Sequence, residues 1–121
     1  MTDRIDDSPN VLYRGQSFVL EQSIDFDRWL RRLRDRAGQL RILKRLVRLS
    51  NGHFGDCKAV GGGVHELRMF FGPGYRVYFL EHGTIMILLL AGGDKDSQPA
   101  DIIRAKALAE EFIRGTEDDP L

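Results

Sequence analysis

The sequence contains very little cysteine and no long apolar run. Cys57 is the only cysteine among 121 residues, which excludes a disulfide within the chain and a zinc site of the usual multi-cysteine kind. The longest apolar run, residues 85–91, is far shorter than the roughly 20 residues of a transmembrane helix. Residues 1–10 are polar and lack the apolar segment of a secretory signal. We therefore expect a cytoplasmic protein with no membrane partner, no metal and no other cofactor.

The sequence also lacks net charge, since 18 Lys and Arg balance 18 Asp and Glu. The charges are nevertheless unevenly distributed, because residues 25–50 contain nine Lys or Arg and only three Asp. A basic block of this kind favours a polyanionic partner, and the alternative is a solvated helix face. The basic residues that we expect to contact such a partner are Arg31, Arg34, Arg41, Lys44 and Arg48.

The spacing of apolar residues predicts two helices after a first strand. Residues 16–22 alternate weakly between apolar and polar and predict the strand. Apolar residues then recur at helical spacing from Phe26, with Asp25 as the expected N-cap. Gly38 interrupts this pattern, and a second apolar stripe continues to Asn51. The two stretches predict a helical hairpin whose arginines point outward.

The second half of the chain predicts a sheet followed by one more helix. The expected elements are a strand at residues 57–60, a β-hairpin at residues 64–71 and 75–82, a strand at residues 85–91, and a helix from Ser97 to Gly115. The last of these strands is apolar on both faces, which predicts a central position in the sheet. The fold class is therefore α+β, with an N-terminal strand, a helical hairpin, an antiparallel β-sheet and a C-terminal helix.

The length of the chain suits a single domain. We expect this domain to cover residues 15–115. Residues 1–14 are predicted to be a flexible extension, and residues 116–121 an acidic tail.

The predicted hairpin separates its side chains into two faces. If Gly72-Pro73-Gly74 form the loop, Leu67 lies opposite Phe79 on an apolar face, and Arg68 lies opposite Tyr78 on the other. The second face is expected to be exposed, and it carries Glu66, Arg68, Phe70, Arg76 and Tyr78. Two guanidinium groups and a phenol suit a phosphate ligand. The alternative is an ordinary solvated sheet face on which Glu66 pairs with an arginine.

Four motifs in order resemble the RelE/ParE toxin superfamily, in particular its HigB-like, phage-related branch of addiction-module killer proteins. They are W-L-x-x-L in the first helix, N-G-x-F-G-D-x-K-x-V-G before the sheet, E-L-R with G-P-G-Y-R-V-Y in the hairpin, and L-L-L-x-G-G-D-K before the last helix. The resemblance covers residues 15–114, and implies a RelE/ParE-like fold.

The resemblance implies the toxin of a type II toxin–antitoxin system, neutralised by a small helix-turn-helix antitoxin. Members of the RelE and HigB type cleave messenger RNA in the ribosomal A site without metal. The ribose 2′-hydroxyl attacks the adjacent phosphodiester, which requires a base, an acid and cations. Family positions correspond to Lys58, Arg68 and Arg76 and, less directly, to Lys95. The five basic residues of the helical hairpin named above would then bind RNA.

The sequence departs from the family in its acid/base group. RelE-type enzymes carry a tyrosine in or just before the last helix, and residues 96–114 contain none. The remaining candidates are His65, Tyr78, His82 and the Asp94-Lys95 pair. The candidate catalytic residues are therefore Lys58, His65, Arg68, Arg76, Tyr78 and Lys95.

Two other functions remain open at this stage. A ParE-like inhibitor of DNA gyrase would act by binding alone, and a nucleic-acid-binding module without toxicity would need only the basic helices. The clustered Lys, Arg and Tyr face favours the endonuclease, because inhibition by binding needs no acid/base group.

Overall fold

The computed structural model describes residues 11–117. Over this range the chain forms six strands and three helices. Their bounds are β1 (Val11–Arg14), β2 (Val19–Gln22), α1 (Ile24–Arg32), α2 (Arg36–Ser50), β3 (Cys57–Gly61), β4 (Val64–Arg68), β5 (Arg76–His82), β6 (Met86–Gly93) and α3 (Gln98–Glu117). The α+β class, the helical pair and the last helix are confirmed.

All six strands belong to one sheet, in the order β1-β2-β6-β5-β4-β3. Neighbouring strands are antiparallel except β2 and β6, which run parallel with Leu20 opposite Ile87. The prediction of an antiparallel sheet is wrong for this pair. Local alternation gives no information about which distant strand becomes a neighbour, so the sequence pattern could not reveal the parallel pairing. The predicted central position of the strand around residues 85–91 is confirmed by β6, which lies between β2 and β5.

The hairpin of β4 and β5 is paired in a different register from the predicted one. Leu67 lies opposite Val77 and Arg68 opposite Arg76, so Arg68 does not face Tyr78. The connection spans residues 69–75 instead of three residues, and the φ angles of Gly72 and Gly74 are 58° and 80°. Because the pairing is displaced by two residues, every side chain stays on its predicted face.

Helices cover both faces of the sheet. One apolar cluster joins α1 and α2 to the first face, and a second joins α3 to the other. The first includes Phe26, Ile42, Leu46, Leu67, Val77 and Phe79, and the second includes Val64, Tyr78, Leu80, Leu90, Ala105 and Ala109. The expectation that the face of Glu66 and Tyr78 is exposed is therefore wrong, because α3 packs on it and both residues are fully buried.

The starts of α1 and α2 differ from the predicted ones. Ser23, and not Asp25, caps α1, since its Oγ accepts a hydrogen bond from the Phe26 N–H at 3.0 Å. Gly38 lies inside α2, where an added Cβ would come within 2.9 Å of the Tyr75 ring. The glycine permits close packing and does not break the helix.

The predicted terminal segments are in part regular structure. The extension expected at residues 1–14 includes β1, which pairs with β2, and residues 1–10 lie outside the described residues. Helix α3 continues through Gly115 to Glu117, so residues 116 and 117 of the expected tail are helical, and residues 118–121 lie outside the described residues. Between Val11 and Glu117, no helix combines the length and the apolar composition that a membrane crossing needs.

The carboxylate of Asp35 connects the start of α2 to the hairpin. It accepts hydrogen bonds from the Gly38 N–H at 2.8 Å and from the Tyr75 hydroxyl at 2.9 Å. These two bonds, the backbone bond first, lower the pKa of Asp35 below its ordinary value of 3.8.

We expect Asp35→Ala to lower the melting temperature at pH 7, because it removes both bonds. Since the folded-state pKa is lowered, this stabilisation is complete above the unfolded-state pKa and is lost as the pH falls through the folded-state value. The melting temperatures of wild type and variant should therefore converge as the pH falls below 3.8, the ordinary pKa of the group, as thermal melts at decreasing pH will show. Asp35→Asn, which keeps a capping oxygen, should lose less at pH 7. Equal melting temperatures for wild type and Asp35→Ala at pH 7 would contradict the prediction.

Candidate functional site

A groove opens on the α3 side of the sheet, where β4 ends and β5 begins. Helix α3 begins at Gln98 on the rim of this groove. We call it the cationic groove, and it is lined by Lys58, Arg68, Met69, Phe70, Gly72, Pro73, Gly74, Arg76, Lys95 and Gln98. Four of the six predicted catalytic residues, Lys58, Arg68, Arg76 and Lys95, are thus brought together.

The four cations come from four different segments. Arg68 and Arg76 are direct partners across β4 and β5, and Lys58 lies on β3 at the edge of the sheet. Lys95 follows β6 in the connection to α3, where its backbone N–H donates to the Pro73 carbonyl at 3.5 Å. Because β6 and β3 flank the β5–β4 pair, the lysines lie on either side of the arginine pair.

The Arg76 side chain is buried beneath the groove and is only 7% exposed. Its Nη1 donates to the carbonyl oxygens of Gly74 at 3.1 Å, Tyr75 at 3.4 Å and Met69 at 3.5 Å. The expectation that Arg76 is exposed is therefore wrong, because its guanidinium holds the connection between β4 and β5. Its Nη2 makes no hydrogen bond to the described residues and is not buried, so this nitrogen can reach a ligand.

A fully buried carboxylate, that of Glu66, lies beside Arg76. Glu66 Oε2 is 3.9 Å from Arg76 Nε, a distance that allows charge attraction but not a hydrogen bond. The same oxygen accepts from the Tyr78 hydroxyl at 3.0 Å and from Gln98 Nε2 at 2.7 Å. Glu66 was assigned to this face from the sequence but was not among the predicted site residues. The available signal was a carboxylate on the same strand face as Arg68 and Arg76.

The structure does not bring Tyr78 into the groove. The residue is fully buried below it and donates its hydroxyl hydrogen to Glu66. Burial first, and then this hydrogen bond, raise the pKa of Tyr78 well above its ordinary value of 10. The phenol therefore stays protonated at neutral pH, and it does not line the groove.

The histidine candidates also lie away from the groove. His65 is half-buried on the opposite face of the sheet, where its ring stacks on Phe79 with centroids 5.4 Å apart. His82 contacts Phe112 edge-on at 5.1 Å, at the far end of β5. Both histidines therefore make packing contacts with a phenylalanine and do not line the groove.

Arg68 is positioned by a residue that the sequence analysis did not single out. Arg45 donates from Nη1 to the Arg68 carbonyl at 2.8 Å and from Nη2 to the carbonyls of Phe54 at 3.1 Å and Asp56 at 3.3 Å. Burial lowers the pKa of Arg45 from its ordinary value. One arginine of the basic block therefore points inward, and nothing local distinguished it from its neighbours. The Arg68 side chain is partly exposed, with Nε 3.3 Å from Asp56 Oδ2.

The five basic residues predicted to bind RNA are all exposed: Arg31, Arg34, Arg41, Lys44 and Arg48. Two of them make contacts of their own. Arg31 Nε is 2.7 Å from Asp27 Oδ1, and the Arg41 guanidinium lies over the Phe71 ring at 4.1 Å from its centroid. Through Arg41, the basic surface of α2 meets the connection that borders the cationic groove.

The residues of the groove support phosphate binding with proton transfer. Arginine remains protonated in proteins, so among the lining side chains only Lys58 and Lys95 carry groups suited to exchanging a proton. Asp56 and Glu66 offset two of the four positive charges, which leaves the groove cationic. Within residues 11–117, no three His, Cys, Asp or Glu side chains come together as a set of metal ligands.

Removal of the Glu66 carboxylate would leave the buried Arg76 guanidinium without its opposite charge. We expect Glu66→Ala to lower the free energy of unfolding by about 3–5 kcal/mol, as for other broken buried ion pairs. Arg68→Ala, whose ion pair is partly exposed, should lower it by less than about 1 kcal/mol. Chemical denaturation of both variants measures the difference.

Glu66→Gln separates the charge from the volume in this test. The variant keeps the size of the side chain and an acceptor for Tyr78 and Gln98, so its loss of stability reports the missing charge. Similar small losses for Glu66→Ala and Arg68→Ala would show that the buried pair does not stabilise the groove.

No protein-family model matches the chain. A protein of Haemophilus influenzae described as uncharacterized is 42% identical over 93 residues, which make up 77% of this chain and 94% of that protein. The similarity therefore extends over nearly the whole of the relative. At this identity and coverage, the chain belongs to the same family as the Haemophilus influenzae protein.

Proposed function

We propose that the chain is the toxin of a type II toxin–antitoxin system, and that it cleaves messenger RNA on the ribosome without a metal and so inhibits translation in the cytoplasm. The observation that carries this proposal is the convergence of Lys58, Arg68, Arg76 and Lys95 on one groove. The resemblance to HigB-like RelE/ParE toxins supplies the reaction and the helix-turn-helix antitoxin as partner.

The arginine pair suits the charge that develops on a scissile phosphate. Arg68 is partly exposed on the groove, and Arg76 presents Nη2 from a guanidinium held by three carbonyls. A donor that is already oriented needs little reorganisation when negative charge builds on the phosphoryl oxygens. We therefore assign to both arginines the binding of the phosphate and the stabilisation of the transition state.

The two lysines suit the proton transfers of the reaction. The 2′-oxygen forms a bond to phosphorus, and the bond from phosphorus to the 5′-oxygen of the next nucleotide breaks. One group must accept the 2′-hydroxyl proton and another must protonate the departing 5′-oxygen, from opposite sides of the phosphorus. Lys58 and Lys95 lie on opposite sides of the arginine pair. We assign to one of them, as the neutral amine, the acceptance of the 2′-hydroxyl proton, and to the other, as the ammonium, the protonation of the 5′-oxygen, without fixing which is which.

Expression without antitoxin tests the cleavage directly. We expect translation to stop and RNA 5′ ends to appear at codon-phased positions in translated messages. Arg68→Ala should slow cleavage roughly 100-fold, as for loss of one electrostatic stabiliser, and Lys58→Ala and Lys95→Ala should each slow it on the order of 100- to 10,000-fold. Lys106→Ala, an exposed lysine outside the groove, is the matched control and should cleave normally.

Two outcomes would contradict the proposal. Arrest of DNA replication with intact messages would identify a gyrase inhibitor of the ParE type, and normal growth would indicate a nucleic-acid-binding module without toxicity. Pulse labelling of DNA and protein synthesis in the same cultures separates these results from translation arrest.

We also expect the basic helices to dock on ribosomal RNA. Replacement of Arg34, Lys44 and Arg48 by Gln should weaken ribosome binding and reduce its salt dependence, by up to roughly one unit of the logarithmic slope for each lost phosphate contact. Arg31→Gln is the control, because Arg31 already pairs with Asp27 and should contribute less. Ribosome binding measured from low to high salt tests this prediction. An unchanged salt dependence for the triple variant would assign this surface to another role.

A further inference from the structure

The cationic groove contains an exposed aromatic ring, that of Phe70. The residue is 77% exposed, and the Arg68 Cζ lies 5.9 Å from the centre of its ring. The next residue, Phe71, behaves differently, since its ring packs against Arg41 and Tyr75. The structure therefore packs one of two consecutive phenylalanines, half-buried, against the core and presents the other to the groove.

The Phe70 ring is held outside the core by its surroundings. It lines the groove together with Arg68 and Arg76. The Met69 carbonyl, directly before Phe70, accepts from Arg76 Nη1, and Gly72 turns the chain with a φ of 58°. An aromatic ring on a connection fixed in this way is prepared for a ligand and needs little ordering when the ligand binds.

The neighbours of the ring favour a nucleobase over an apolar protein segment. Phe70 is an isolated large ring among four cations, because the other large apolar residue of the groove, Met69, is almost fully buried. A protein-binding patch would need contiguous apolar surface. Aromatic rings beside basic side chains are instead the arrangement that binds single-stranded nucleic acids, through base stacking and phosphate contacts.

We propose that Phe70 is the stacking platform for one unpaired base of a single-stranded RNA, and that Arg68 binds the phosphate next to that base. The separation of the guanidinium and the ring is one that a single nucleotide can span. This inference rests on the proposed function in taking RNA as the ligand of the groove. Since every base has a π-face, the platform accepts all four bases, and larger purine rings overlap it better.

A fluorescent RNA that resists cleavage tests the platform separately from catalysis. The probe is a single strand of about ten nucleotides, within the range of single-strand binding sites, methylated at every 2′-oxygen and carrying one 2-aminopurine. We expect wild type to quench the 2-aminopurine on binding. Phe70→Ala should abolish the quenching and weaken binding about 10-fold, within the range expected for loss of one stacked base. Phe70→Trp should preserve both properties.

Two controls isolate the contribution of the base. On a probe of the same length that is abasic at every position, wild type and Phe70→Ala should bind equally. Ile103→Ala, which changes a residue that is 71% exposed and outside the groove, should bind and quench like wild type. Thermal melts should show equal stability for Phe70→Ala and wild type, because the ring is exposed.

The inference is overturned if Phe70→Ala still quenches, if its loss of affinity is as large on the abasic probe, or if wild type does not bind the RNA. Tighter binding to the corresponding DNA strand would overturn the assignment to RNA. Quenching that depends on Phe70, with translated messages left intact in cells, would support the platform and refute the nuclease. Codon-phased cleavage in cells, with quenching unaffected by Phe70→Ala, would support the nuclease and refute the platform.

Discussion

The shape of the cationic groove depends on one buried guanidinium, that of Arg76. A buried charge is tolerated only where an opposite charge and hydrogen-bond acceptors surround it. Glu66 supplies the charge, and three carbonyls of the connection between β4 and β5 accept from Nη1. The same contacts hold the segment that carries Phe70. One side chain therefore stabilises the loop and also offers a nitrogen to a ligand.

Helix α3 connects this buried pair to the rest of the molecule. Gln98, its first residue, donates to Glu66, while Ala105 and Ala109 pack further along the same face of the sheet. On the other side of the sheet, Arg45 holds the carbonyls of Arg68 and Asp56. The groove is thus supported by a helix from each face, which suits a site that must orient charges before its ligand arrives.

The faces of the strands could be predicted, whereas their pairing could not. Alternation placed Arg68 and Arg76 on one side of the hairpin. This assignment stayed correct although the register is displaced by two residues, because side chains two positions apart on a strand point to the same face. The exposure of that face was predicted wrongly, because nothing in β4 or β5 indicates where α3 will pack. Arg45 was missed for a similar reason, since one arginine among nine in a basic block differs from the others only by its tertiary contacts.

The sequence by itself determined the order of the elements from β2 onward, the α+β class, the central position of β6 and the candidate cations, because these depend on local periodicity, turn residues and recognisable motifs. Only the tertiary structure decided that β2 and β6 run parallel, that Glu66 and Tyr78 are buried, and that Lys58 and Lys95 flank the arginine pair. Those features depend on contacts between segments far apart in the chain, whose free energies no local pattern contains.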